Sequence, residues 1–215
     1  MAFLPYLFVA AVAYLLGSIP FGFLLVLLFR KEDIRTKGSG NIGATNVVRS
    51  GAKGLGLLTF FLDAAKGYLA VLAAGWILRW FGGMAAVPQD AAAIAALFAI
   101  LGHMYPMWLR FKGGKGVATS LGVFLALSPV AAVSGLAIFV VVLLIWRYVS
   151  LASIVAALVF PVAAIYVSRA SRTSMFEVVI VLVPLLVIVK HRQNLNRLLR
   201  GTEYRFGKSR EQSAP

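Results

Sequence analysis

Between Phe3 and Phe29 the chain carries no charged side chain. An unbroken apolar run of that length constrains the fold more than any other feature, because about 20 such residues in a helix cross the ~30 Å hydrocarbon layer of a bilayer. Leu55–Trp80, Ala91–Leu109 and Val130–Trp146 repeat the pattern, and Leu151–Val167 and Met175–Val189 fall slightly short of it. Val117–Leu127 is only half a span. It lies between a Gly/Lys loop and the helix-starting pair Ser128-Pro129, so it is counted as a short helix crossing to the far side; the alternative is a re-entrant segment, which would break the seven-span topology. Apolar residues are 61% of the chain and charged ones 13%, against ~45–50% and ~25% in soluble domains. The excess sits in the runs. The expected fold class is all-α, a polytopic integral membrane protein with seven transmembrane helices. Ala11-Val12-Ala13 resembles a signal-peptidase site, but no positive charge precedes the run and it continues to Leu28, so a first span is expected in place of a cleaved signal.

Charge sets the orientation. With the N-terminus outside and the C-terminus cytoplasmic, only Arg79, Arg169 and Arg172 of the 21 lysines and arginines face outward, and Lys66 lies within a span. All others fall on the inner side, as positive-inside topology requires. A single membrane-embedded domain over residues 1–207 and a disordered tail over 208–215 are expected.

The chain has no cysteine and two histidines. Disulfides, thiolate zinc, a cysteine nucleophile and a three-histidine metal site are excluded. Its seven acidic residues are scattered, so neither a metal nor a cofactor is expected. The net charge of +14 suits membrane lipids with anionic headgroups or an anionic substrate. The cations are split among short loops, so no nucleic-acid partner is expected. The working expectation for assembly is a monomer.

Three inner segments carry candidate chemistry. The first, GSGNIGATNVVR (Gly38–Arg49), contains G-x-G-x-x-G, but a membrane helix precedes it where a dinucleotide fold needs a strand. The glycines keep their physical meaning: they let backbone N–H groups approach an anion. A short helix over Ile42–Ser50, capped by Asn41, would add a positive N-terminal end. Thr45, Asn46 and Arg49 would share one of its faces. Ser39 completes a candidate phosphate-binding set, with Gly38, Gly40, Asn41 and Gly43 shaping the loop.

The second segment, from Arg110 to Ser120, interleaves Lys112 and Lys115 with Gly113, Gly114 and Gly116 before a helix start. It lacks Walker A spacing, yet flexible backbone donors and a lysine suit a phosphate. The third, Lys190–Glu203, reads as an amphipathic helix on the inner surface, ended by Gly201. His191 and Asn194 adjoin its leucine stripe and are placed to face protein. Ser150, in the turn after Arg147, is within reach of a shared site. Asp63 and Lys66, three apart within a span, are either functional candidates, as intramembrane charges are by default, or an intrahelical structural pair, and His103 is expected to be structural.

These segments, in this order and on one side, resemble the bacterial acyl-phosphate:glycerol-3-phosphate acyltransferase family, often called PlsY. The matching stretches are GSGNIGATNVVR, LGHMYPMWLRFKGGKGVATSLG, RYVSLAS and HRQNLNRLLRGTE. The resemblance implies a multi-pass protein of the bacterial inner membrane with its active site on the cytoplasmic face. It implies that the 1-hydroxyl of sn-glycerol 3-phosphate attacks the carbonyl of a fatty acyl phosphate, releasing inorganic phosphate and leaving lysophosphatidic acid for phospholipid synthesis. Ser39, Arg49, Lys115, His191 and Asn194 are then the expected catalytic residues. Gly113, Gly114 and Lys115 are associated with glycerol 3-phosphate, and Glu203 with structure. Other glycerolipid acyltransferases use H-x-x-x-x-D, but Trp108 and Asn196 stand five residues after the two histidines, so no histidine–aspartate base is expected. A transporter of a phosphorylated metabolite would share the basic loops, but it should line its spans with polar residues, and this chain has few.

Overall fold

The first apolar run folds as two helices. The computed structural model describes residues 3–81, 88–167 and 173–207; the expected disordered tail, Arg169 and Arg172 lie outside the described residues. Helix α1 spans Leu4–Ser18 and α2 spans Phe21–Arg30. The break falls at Ile19-Pro20, which the reading of one uninterrupted run did not foresee. Proline lacks an N–H and disfavours the helical region for the residue before it; Ile19 is extended, with ψ 114°.

Then follow α3 (Ala44–Arg49), α4 (Lys53–Trp80), α5 (Pro88–Met104), α6 (Val117–Leu127), α7 (Pro129–Trp146), α8 (Val149–Val167), α9 (Ser174–Lys190) and α10 (Arg192–Leu199). Among the described residues five helical stretches are long and apolar enough to cross a bilayer, counting α1 with α2 as one. The pair α9 and α10, bent by 54°, would make a sixth. Helix α6 has 11 residues, about 16 Å at 1.5 Å per residue.

The packing inverts the soluble pattern. Large side chains such as Phe3, Trp76, Trp80 and Leu144 face outward, while Ala91, Ala93, Ala95, Ala96 and Ala99 make the buried face of α5. Lipid tails are as apolar as leucine, so helix pairing relies on close backbone approach through small residues. A Cβ on Gly102 of α5 would lie 2.2 Å from the Tyr14 carbonyl oxygen of α1, and one on Gly122 of α6 would lie 1.9 Å from that of Ala64 in α4. The first crossing sets α5 against α1 and the second sets α6 against α4. Helices α7, α8 and α9 complete the bundle, with Phe124 of α6 stacked on Phe160 of α8 at 4.2 Å between ring centroids.

Candidate active site

Loop one is built around a single amide. The buried Asn46 accepts the Ser39 N–H at 2.8 Å and donates to the carbonyls of Asn41 (2.8 Å), Lys37 (3.0 Å) and Ile34 (3.3 Å). The amide is therefore committed to loop shape, although Asn46 still lines the site. Gly38 and Gly40 adopt φ of +57° and +71°, a region that side chains disfavour, so they turn the chain around this hub. The helix expected over Ile42–Ser50 is shorter and starts at Ala44, behind Gly43. Asn41 does not cap it: its side-chain Oδ1 accepts the Gly43 N–H at 2.8 Å, a local turn that competes with helix. Its amide donates to the Gly113 carbonyl at 3.5 Å, joining loop one to loop two.

Loop two folds back on the end of α5. The N–H groups of Gly113 and Gly114 donate to the carbonyls of Met104 (3.2 Å) and His103 (3.0 Å). Those two groups are thus occupied, contrary to the expectation of free backbone donors. A Cβ on Gly114 would fall 2.0 Å from His103 Nε2, so the loop lies directly against the imidazole. Gly116, at φ +84°, starts α6.

The third segment bends inward. His191 and Asn194 are buried, while Leu195 and Leu199 face out. A polar residue inside and leucine outside is the arrangement a lipid-facing surface allows. The His191 ring contacts the Val187 carbonyl through Nδ1 at 2.8 Å. A carbonyl only accepts, so Nδ1 carries the proton and Nε2 keeps its lone pair. Burial, then the Lys115 charge, push the His191 pKa down to about 4, leaving the ring neutral at pH 7.

Loops one and two, the α7–α8 turn and the C-terminal segment meet at one end of the bundle, around a cleft of about 830 Å³ open to solvent. Of the expected residues, Ser39, Asn41, Gly43, Thr45, Asn46, Arg49, Lys115, Gly116, Ser150, His191 and Asn194 line it. Gly38, Gly40, Lys112, Gly113 and Gly114 do not: Gly38, Gly40 and Lys112 are exposed to solvent, and Gly113 and Gly114 pack against the end of α5.

A polar chain runs across the cleft. The Lys115 ammonium donates to the Asn194 carbonyl oxygen, and the Asn194 amide donates to Glu203 at 2.7 Å. Glu203 also accepts from Ser150 (3.0 Å) and Arg197 (2.7 Å). Burial alone would raise the Glu203 pKa, but these hydrogen bonds hold it below the usual carboxylate range. Burial lowers the Lys115 pKa to about 8; Glu203 opposes the shift, and Arg197 and Arg49 add to it.

Reasoning from sequence left four features of this wall unassigned or bland. The Arg49 guanidinium lies 4.3 Å over the ring of Tyr204, a residue with no sequence signal beyond its place next to Glu203. Asp63 and His103 both line the cleft. Lys66 pairs with Asp63 at 2.7 Å, and it also donates at 2.7 Å to the Ile19 carbonyl at the helix break. His103 Nδ1 is 3.6 Å from the same Asp63 oxygen. Finally, Phe60, Val117, Phe139 and Ser153 border both this cleft and an apolar pocket, open on one side, between α6, α7, α8 and α9.

Residues 7–201 match the family model described as glycerol-3-phosphate acyltransferase. A glycerol-3-phosphate acyltransferase of Bordetella pertussis is 46% identical over 203 residues, covering 92% of this chain and 90% of its own. One from Syntrophotalea carbinolica is 48% identical, covering 90% and 94%. The crystal structure of PlsY (YgiH), an integral membrane glycerol 3-phosphate acyltransferase in its glycerol 3-phosphate form, superposes with a TM-score of 0.82. It shares 42% identity and covers 94% of this chain and 96% of that one. Its lysophosphatidic acid form gives a TM-score of 0.78. Matched along nearly its whole length by family model, relatives and solved structure alike, the chain belongs to the glycerol-3-phosphate acyltransferase family.

Proposed function

We propose that this membrane acyltransferase takes its acyl group from a fatty acyl phosphate held at the cleft, and passes it to the 1-hydroxyl of sn-glycerol 3-phosphate. The observation that carries the reading is the junction of two chambers. A cleft with Arg49 and Lys115 on its wall lies beside an apolar pocket, and the two share Phe60, Val117, Phe139 and Ser153 as lining. An anionic head with a hydrocarbon tail fits that junction. A free phosphorylated metabolite awaiting transport has no use for the tail chamber.

In this reading Arg49, with Ser39 and Thr45, binds the donor phosphate. Lys115, fixed by Asn194, binds the phosphate of the acceptor. The relatives solved in glycerol 3-phosphate and lysophosphatidic acid forms support an acceptor and a product of this kind. The hydroxyl oxygen bonds to the acyl carbon, the bond to the phosphate oxygen breaks, and the proton leaves with the phosphate. His191, neutral and with Nε2 unprotonated, accepts a hydrogen bond from the attacking hydroxyl. Acyl phosphate is already activated, so alignment of the two substrates and neutralisation of their charges supply much of the acceleration.

The membrane arrangement follows the same reading: seven crossings, N-terminus outside, C-terminus and cleft at the cytoplasmic face of the bacterial inner membrane. The gathering of the basic loops at one end of the bundle supports it. Helix α6 makes the fourth crossing only if the segment leading to Ser128-Pro129 reaches the far side. Residues 1–207 act as one domain, and the chain works as a monomer.

The deciding assay mixes purified protein with palmitoyl phosphate and glycerol 3-phosphate. Lysophosphatidic acid and inorganic phosphate should form in equal amounts. Uptake of glycerol 3-phosphate into vesicles without product would sink the donor reading and favour a transporter.

A further inference from the structure

The C-terminal segment after α10 does more than end the helix. Gly201 turns at φ +70°, Glu203 is tied to Asn194, Ser150 and Arg197, and the Phe206 N–H donates to the Arg147 carbonyl at 2.7 Å. Between these anchors Tyr204 is held at the wall of the cleft, its ring beneath the Arg49 guanidinium.

We infer that Tyr204 is a positioning residue for Arg49: its ring face holds the guanidinium at the donor phosphate site while leaving the N–H groups free for the substrate. The inference rests on the reading of Arg49 as a phosphate ligand.

The physical case has three parts. A cation attracted to a ring face gives up no hydrogen bond, because the contact uses the charge and not the N–H edges. Guanidinium N–H groups lie in one plane, in the fork geometry that matches a phosphate. Arg49 Nε has no hydrogen-bond partner, so the ring contact leaves that donor uncommitted. A carboxylate would hold Arg49 differently. It would occupy those same N–H groups, and an incoming phosphate would have to displace it. The nearby carboxylate, Glu203, has both oxygens engaged elsewhere. Tyr204 thus supplies support that neither neutralises the cation nor competes with the ligand.

The test compares Tyr204→Phe, Tyr204→Leu and Arg49→Ala under steady-state conditions with palmitoyl phosphate and glycerol 3-phosphate. Phenylalanine keeps the ring face and should hold the KM for palmitoyl phosphate within about twofold. Leucine removes it and should raise that KM about fivefold to tenfold, the range a partly desolvated cation–ring contact supports. The KM for glycerol 3-phosphate should stay near wild type. Thermal midpoints check that the variants fold, and Tyr204→Met replaces leucine if it does not. A wild-type KM in the leucine or methionine variant, or a phenylalanine variant as impaired as leucine, overturns the inference. Arg49→Ala separates the two levels. If it leaves the palmitoyl phosphate KM untouched, the assignment of Arg49 itself fails; if it raises that KM while Tyr204→Leu does not, only the role of Tyr204 fails.

Discussion

Lys115 makes acceptor binding sensitive to alkali in a way that can be worked out beforehand. Its ammonium is half-buried in the wall of the cleft, and its pKa is brought down to about 8, chiefly by desolvation. Only the protonated form attracts a phosphate. The sign follows: a depressed lysine pKa means that charge, and with it acceptor affinity, is lost as pH rises through 8. Near pH 7 about nine-tenths of the free enzyme carries the charge, and near pH 9 about one-tenth. The kcat/KM for glycerol 3-phosphate, which reports groups of the free enzyme, should therefore fall about tenfold over that interval. The acceptor phosphate, with a second pKa near ~6, is mostly dianionic from pH 7 upward, so it adds no limb of its own to the alkaline side. Bound phosphate stabilises the ammonium, so the limb in kcat should lie at higher pH than the limb in kcat/KM. The assay is initial-rate lysophosphatidic acid formation from pH 6.5 to 9.5, corrected for spontaneous hydrolysis of the acyl phosphate. A guanidinium stays charged far above this range, so Lys115→Arg should move the limb out of it, whatever the change in absolute rate. A flat profile to pH 9.5, or an unmoved limb in Lys115→Arg, would refute the argument.

Two further outcomes test the loops and the apolar cavity. Gly114→Ala would place a methyl 2.0 Å from His103 Nε2, so loop two must shift. We expect a lower thermal midpoint, from a loss of about 1–3 kcal/mol for overpacking, together with a raised KM for glycerol 3-phosphate; normal values for both would mean that the loop is not seated on His103. Gly135→Leu, next to Phe160, should fill part of the apolar cavity and shift the preferred donor from palmitoyl toward decanoyl phosphate. An unchanged chain-length profile would place the tail elsewhere.

Much of the architecture was legible in one dimension because the bilayer reads sequence in one dimension. A long, predominantly apolar run has few other places to go, so the stretches that become α4, α5, α7, α8 and α9 are recognisable by length and polarity. Pro20 was legible in principle. The apolar run on either side of it hid a break that proline chemistry dictates. Glycines 113 and 114 were identified as important for a reason the structure replaces: their N–H groups close onto the end of α5, and their bareness is what lets the loop lie against His103. Asn46 likewise was expected to hold ligand, and its amide instead holds loop one together.

The sequence by itself determined a membrane-embedded helical chain, a basic side, and the residues from which phosphate sites are built. These depend on composition over a window and on local spacing, both of which survive without coordinates. Only the tertiary structure decided which of those residues share a wall. Arg49 and Tyr204 are far apart in the chain, as are Lys115 and Asn194, and Lys66 and Ile19. Each pairing is set by how closely the glycine-lined helices approach and by where the chain bends at their ends. Contacts of that kind are fixed by packing in three dimensions and leave no periodic trace in the order of residues.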